Sequence, residues 1–67
     1  MMKLTLKSRI KEWIVKCGLT NEEVARQLDV SRETVSKWAN TKAYPSLLNS
    51  FKLADLFGCK VDDLYER

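Results

Sequence analysis

Side chains able to make or break bonds are sparse in this 67-residue chain. It has no histidine, which removes His-based catalysis and His metal sites. Its two cysteines, Cys17 and Cys59, lie far apart and match no metal-ligand spacing. Two glycines cannot build a phosphate-cradling loop. What the sequence does offer is a set of hydrogen-bonding and charged groups at Arg32, Glu33, Ser36 and Lys37. On a helix these four share one face. Arg and Lys donate, a carboxylate accepts, and Ser does either. No coherent catalytic set accompanies them, so an enzyme is the least expected class and no cofactor or metal is expected.

The elements that must position this face are legible from composition and spacing. Apolar residues make up 45% and charged residues 31%, a globular mix. The length predicts one domain over 1–67, with a core at about 6–65 and residues 1–5 as a basic arm. No apolar run is long enough for a membrane span, and the amino terminus lacks the apolar stretch of a signal peptide. With only two cysteines the expectation is a reduced, cytoplasmic protein without membrane association. The formal charge is +3, and it is uneven. Residues 1–44 carry nine basic and five acidic groups, whereas 45–67 carry three and four. A basic amino-terminal part is compatible with a phosphate partner and equally with a solvated surface.

Periodicity is helical throughout. Leu6, Ile10, Trp13, Ile14 and Cys17 form one stripe, so a first helix is predicted at about 6–17, ended by Gly18, with Val15 exposed. Thr20-Asn21-Glu22-Glu23 reads as a capping box opening a second helix at about 21–28, with Val24, Ala25 and Leu28 inward. Ser31 caps a third helix at about 32–40, held from beneath by Val35 and Trp38. Pro45 biases Tyr44 away from helix, and Ser46 caps a fourth helix at about 47–57 ended by Gly58. That helix is apolar nearly all round, as expected of one central to the core or shared with a partner. Lys60–Tyr65 reads as a short last helical piece, and no strand is required. Trp13 and Trp38 are expected in the core, and both cysteines as buried small hydrophobes.

The second helix, a short turn and the third helix make a helix-turn-helix pattern. Ala25 sits where the two helices approach, and Val30 plugs the space between them. The third helix is then a rigid element with outward polar side chains, of a size that fits a major groove about 12 Å wide.

Gly18-Leu19-Thr20, Val24-Ala25, Leu28, Val30-Ser31, Thr34-Val35-Ser36, Trp38 and Asn40 together resemble the phage-repressor/Cro (lambda-repressor-like, XRE-type) helix-turn-helix family. Lys42, Tyr44-Pro45-Ser46 and Leu53-Ala54, Leu56-Phe57-Gly58 continue the likeness, which spans about 6–65. The resemblance implies an all-α, five-helix domain that binds double-stranded DNA at a palindromic operator as a homodimer, in transcription control. It implies base reading by Arg32, Glu33, Ser36 and Lys37, with Thr34 close by. Arg32 would donate twice to a guanine edge, and Glu33 would accept from cytosine. It places phosphate contacts on Asn21, Ser31, Asn40 and Lys42. Leu64, Tyr65 and exposed parts of the fourth helix are the dimer candidates.

Six positions depart from the family pattern. Asn21 stands for a common Gln, Asp29 and Thr41 for Gly, Ala39 for Glu, Lys60 for a capping Ser, and Ile14 for a frequent charge. The main expectation is a sequence-specific regulator, a repressor of phage, plasmid or mobile-element type. Two rivals stay open. One is a protein-interaction module, such as an antirepressor or a subunit of another regulator, with a regulatory protein as partner. The other is the antitoxin of a toxin pair.

Overall fold

A computed structural model describes residues 6–66. The chain runs through β1 (Lys7–Ser8), α1 (Ile10–Lys16), α2 (Asn21–Leu28), α3 (Arg32–Ala39), α4 (Leu47–Phe57), a 3₁₀ turn at Val61–Leu64, and β2 (Tyr65–Glu66). The expected arm at residues 1–5 lies outside the described residues. Among the described residues, no helix is long and apolar enough to cross a membrane.

Local hydrogen bonding starts the helices where suitable side chains occur. Thr20 Oγ1 accepts from the Glu23 amide and Glu23 Oε1 accepts from the Thr20 amide, each at 3.1 Å, completing the capping box on α2. Ser31 caps α3 by accepting from the Thr34 amide at 3.1 Å, and Ser46 caps α4 by accepting from the Asn49 amide at 3.2 Å.

All four helices end in the same way. A residue at positive φ donates to the carbonyl three residues back, and the next amide donates five residues back. The left-handed residues are Gly18, Asp29, Thr41 and Gly58, with φ of 69°, 58°, 59° and 70°. The longer closures are Leu19 to Ile14, Val30 to Ala25, Lys42 to Lys37 and Cys59 to Ala54, at 2.9, 3.0, 2.9 and 2.9 Å. Asp tolerates this conformation, whereas a β-branched Thr is a genuine outlier in it. Leaving the right-handed region costs an L-residue roughly 1–2 kcal/mol.

The two ends of the domain correct the expected pattern. The first helix starts at Ile10, not near residue 6. The Ser8 hydroxyl accepts from the Ile10 amide at 3.2 Å, and the backbone just before it is extended. Lys7 and Ser8 pair antiparallel with Glu66 and Tyr65, so a two-stranded ribbon exists where no strand was required. The Arg9 amide donates to the Leu64 carbonyl at 2.7 Å and continues the closure. The fifth helix of the expected fold is instead the 3₁₀ turn, so the described residues form four α-helices. Lys60 offers no side-chain acceptor to open an α-helix, and the Asp63 carboxylate accepts its amide at 3.1 Å.

One core unites the elements. Ile10 and Ile14 meet Val24, Ala25 and Leu28, Val35 and Trp38, Leu53 and Phe57, and Leu64. The stripe on the first helix is buried only in its middle: Leu6 and Cys17 are exposed and Trp13 is half-buried. Trp13 stacks on Phe57 with ring centroids 6.2 Å apart, and its Nε1 donates to the Asp63 carbonyl at 2.8 Å. Lys16 Nζ lies 4.8 Å from the Trp13 ring centroid. The cysteines, expected as buried hydrophobes, differ: only Cys59 packs against the core. Cys17 is exposed beyond the last turn of α1, and Cys59 is half-buried. Desolvation pushes the Cys59 thiol up, and the charges of Asp63 and Cys17 add in the same direction.

Trp13 ties α1 to the 3₁₀ turn through one hydrogen bond, which Phe cannot make while keeping most of the stacking. Trp13→Phe should therefore lower unfolding stability by about 1 kcal/mol in urea titrations followed by circular dichroism. An unchanged midpoint would remove that bond from the account of how the turn is held.

Candidate nucleic-acid interface

The turn between α2 and α3 sets the site. Val30 donates to Ala25 across the left-handed Asp29, and Ala25 is only 5% exposed. A small residue there lets the two helices approach closely. Val35 is fully buried and Trp38 nearly so, which fixes the inner face of α3. Its outer face then follows from helical geometry. Arg32, Glu33 and Lys37 are exposed, and Ser36 is half-buried beside them. The ion pairs among the described residues are Arg9–Glu12 at 3.3 Å and Arg26–Glu22 at 3.7 Å. Arg32, Glu33 and Lys37 thus present their charges to solvent, with no ion-pair partner among the described residues.

The hydroxyls near this face differ in availability. Ser31 Oγ and Thr34 Oγ1 lie 2.8 Å apart and hydrogen-bond to each other, while Ser31 Oγ also accepts the Thr34 amide. Thr34 therefore serves the start of α3 as well as its surface. Asn40 Nδ2 donates to Ser36 Oγ at 3.4 Å, linking the end of the helix to its outer face.

The residues expected at phosphate fall on both sides of α3. Asn21 opens α2, while Asn40 and Lys42 follow α3. Asn21 and Asn40 line one shallow cleft of about 280 Å³, together with Lys11, Ile14 and Ala39. Lys11 was not among the residues expected at phosphate. Ile14 and Ala39, where the family often carries charges, meet in the same cleft as apolar groups. Asn21 is half-buried, and Asn40 and Lys42 are exposed.

The expected dimer residues are not brought to one open surface. Leu64 is fully buried in its own core and cannot face a partner. Tyr65 is half-buried, and its hydroxyl is hydrogen-bonded to Ser50 Oγ at 3.1 Å. A cluster of open apolar side chains lies on α4, where Leu47, Leu48 and Phe51 are 73%, 66% and 55% exposed. Phe51 also edges a groove of about 430 Å³ bordered by Asp55, Cys59, Lys60 and Asp62. The apolar wrap of this helix gave the signal, but spacing alone did not say which part stays outside.

Comparison with known proteins agrees with this geometry. The helix-turn-helix family model matches residues 10–64. An uncharacterised HTH-type transcriptional regulator of Archaeoglobus fulgidus is 37% identical over 60 residues, covering 90% of this chain and 86% of its own. A second one, from Methanocaldococcus jannaschii, is 37% identical over 90% of this chain and 91% of its own. Among solved structures, a Bacteroides fragilis protein assigned to DNA binding superposes with a TM-score of 0.87 at 31% identity, over 92% of this chain and all of its own. The restriction-modification controller protein C.AhdI of Aeromonas hydrophila gives a TM-score of 0.74 at 27% identity, over 84% of this chain and 85% of its own. With its left-handed turn at Asp29 and its match over residues 10–64, the chain belongs to the lambda-repressor-like (XRE-type) helix-turn-helix family.

Proposed function

We propose that the chain is a sequence-specific, DNA-binding transcription regulator that lays α3 in the major groove. The observation that carries this reading is the outer face of α3. Arg32, Glu33 and Lys37 stand there exposed, without ion-pair partners among the described residues, on a helix pinned from below by Val35 and Trp38. In this reading Arg32 donates to a guanine edge, Glu33 accepts from a cytosine amino group, and Ser36 and Lys37 add contacts further along the groove. Thr34 contributes mainly by holding the start of the helix through Ser31. Asn21, Ser31, Asn40 and Lys42 approach phosphates and set the register. The names of the archaeal relatives, HTH-type transcriptional regulators, support the same role.

The working unit in this proposal is a homodimer on a palindromic operator. A single module offers roughly 600–1,000 Å² to DNA, and pairing two of them adds both affinity and length of site. Two recognition helices about 34 Å apart read successive major grooves. The α4 face of Leu47, Leu48 and Phe51 supports pairing, since an exposed apolar patch rimmed by charge is what an interface presents. Lys60 and Asp62, both bordering the adjoining groove, give that rim both signs of charge, which suits a self-complementary contact. The same face also fits a regulatory protein or a toxin, which is the second reading. Repression is the proposed direction, because occluding a promoter asks only for binding. A similar Enterococcus faecalis protein, BcrR, is named as a transcriptional activator, so reporter assays decide the sign. The proposed setting is the cytoplasm and the origin a phage, plasmid or mobile element.

Selection from a random duplex library should yield an inverted repeat, bound with an affinity that falls steeply with salt as counterions are released. Arg32→Ala should erase preference at one base pair per half-site, at a cost of about 1–3 kcal/mol. A variant that keeps the parent's full preference would remove Arg32 from the reading set.

For the assembly, the paired variant Leu48→Ser with Phe51→Ser should remain folded, since both side chains are already exposed. It should sediment as a monomer and lose cooperative binding to the two half-sites. A parent protein that is monomeric on the operator, with one copy bound, would contradict the dimer.

A further inference from the structure

We infer that Thr41 is a positioning residue for the DNA-backbone contacts of Asn40 and Lys42, acting through a hydroxyl tether to the main chain of β1. The inference rests on the DNA-reading role proposed above. Thr41 is held at φ 59°, where a β-branched residue is rarely found. Ending α3 does not by itself call for threonine, because glycine adopts this conformation freely. What threonine adds is an acceptor. Its Oγ1 takes the Ser8 amide at 3.1 Å, across 33 residues of sequence.

That tether reaches the two-stranded ribbon. Ser8 is buried, pairs with Tyr65 in the ribbon, and uses its own hydroxyl to cap Ile10. A second bond runs alongside, from the Tyr44 hydroxyl to the Leu6 carbonyl. Residues 41 and 44 thus grip residues 6–8 at two points, and the exposed Lys42 lies between them. The Lys42 and Ala43 amides both donate to the Lys37 carbonyl, at 2.9 and 3.3 Å, which anchors the other side of the loop. The segment following the recognition helix is therefore held from two directions, by α3 and by the terminal ribbon. A donor fixed in place gives up less freedom when it meets a phosphate. Backbone outliers persist where surrounding structure over-determines them, and they gather at functional sites. The strained Thr41, bonded to a buried strand on one side and carrying a phosphate-facing loop on the other, fits that description.

The test compares Thr41→Gly and Thr41→Ser with the parent in the full chain. Glycine keeps the left-handed turn and removes the acceptor, while serine keeps both hydroxyl and turn. Three quantities are read: exchange of the Ser8 amide by nuclear magnetic resonance, affinity for the selected duplex, and the salt slope. Thr41→Gly should retain its helical signal, expose the Ser8 amide to exchange, and bind about five- to tenfold more weakly. Its salt slope should fall by about one, as for one lost phosphate contact, with base preference unchanged. Thr41→Ser should restore all three. A Thr41→Gly protein with an exchanging Ser8 amide but parental affinity and slope would overturn the inference, as would a Ser8 amide that stays protected. If Thr41→Gly does not fold, Tyr44→Phe removes only the parallel bond and must shift affinity in the same direction; parental affinity there overturns the inference too. A parent that binds no duplex removes the proposed function itself and the inference with it, and the Ser8 exchange data tell the two failures apart.

Discussion

The α2–α3 turn governs everything downstream of it. One residue, Asp29, takes a left-handed conformation, and the Val30 amide reaches back 3.0 Å to the Ala25 carbonyl. That single closure fixes how α3 leaves α2. Ala25 keeps the helices close because it has almost no side chain to separate them. Once Val35 and Trp38 are committed to the core, helical geometry leaves Arg32, Glu33 and Lys37 no inward option. The charges of the outer face are a consequence of apolar packing on the inner one. A larger residue at 25 would wedge the helices apart and rotate the whole face.

The same termination geometry recurs at the end of every helix, yet different residues carry it. Glycine does so at 18 and 58 at no steric cost, and Asp29 at a modest one. Thr41 does so against its own preference, and only there does a side chain reach a distant amide. The conflict between local preference and observed backbone thus singles out the loop that follows the recognition helix. Its position depends on the amino-terminal strand, which in turn pairs with the carboxy-terminal one. The chain ends, far from α3 in sequence, thus help to hold the loop that follows it.

Much of this was readable from residues alone, and the reasons are local ones. The ranges of α2 and α4, and the start of α3, follow from Thr20, Ser31 and Ser46 at the caps and from Asp29 and Gly58 at the stops, each acting within a few positions. The outward face of α3 was equally legible, because Val35 and Trp38 define its opposite. What escaped was non-local. The ribbon of Lys7–Ser8 with Tyr65–Glu66 joins residues almost sixty positions apart and has only two residues per strand, so it leaves no periodic trace. It also explains why the first helix begins late, at Ile10 behind Ser8. Leu64 was expected at a dimer seam, whereas its complete burial puts it in the core. On α4, spacing shows an apolar wrap, whereas only packing reveals that Leu47, Leu48 and Phe51 remain outside. Thr41 was visible as a departure from glycine, but its tether to Ser8 was not.

The central claim is that one rigid helix, with the loop after it and the start of the helix before it, forms a single surface for duplex DNA. Amide chemical-shift mapping of the labelled protein against its selected duplex tests this most directly. The account predicts that shifts concentrate at Arg32–Lys37, at Asn21 and at Asn40–Lys42, with core amides of Leu53 and Leu64 little changed. Shifts confined to the α4 face around Leu48 and Phe51, with the amides of α3 unmoved, would contradict it.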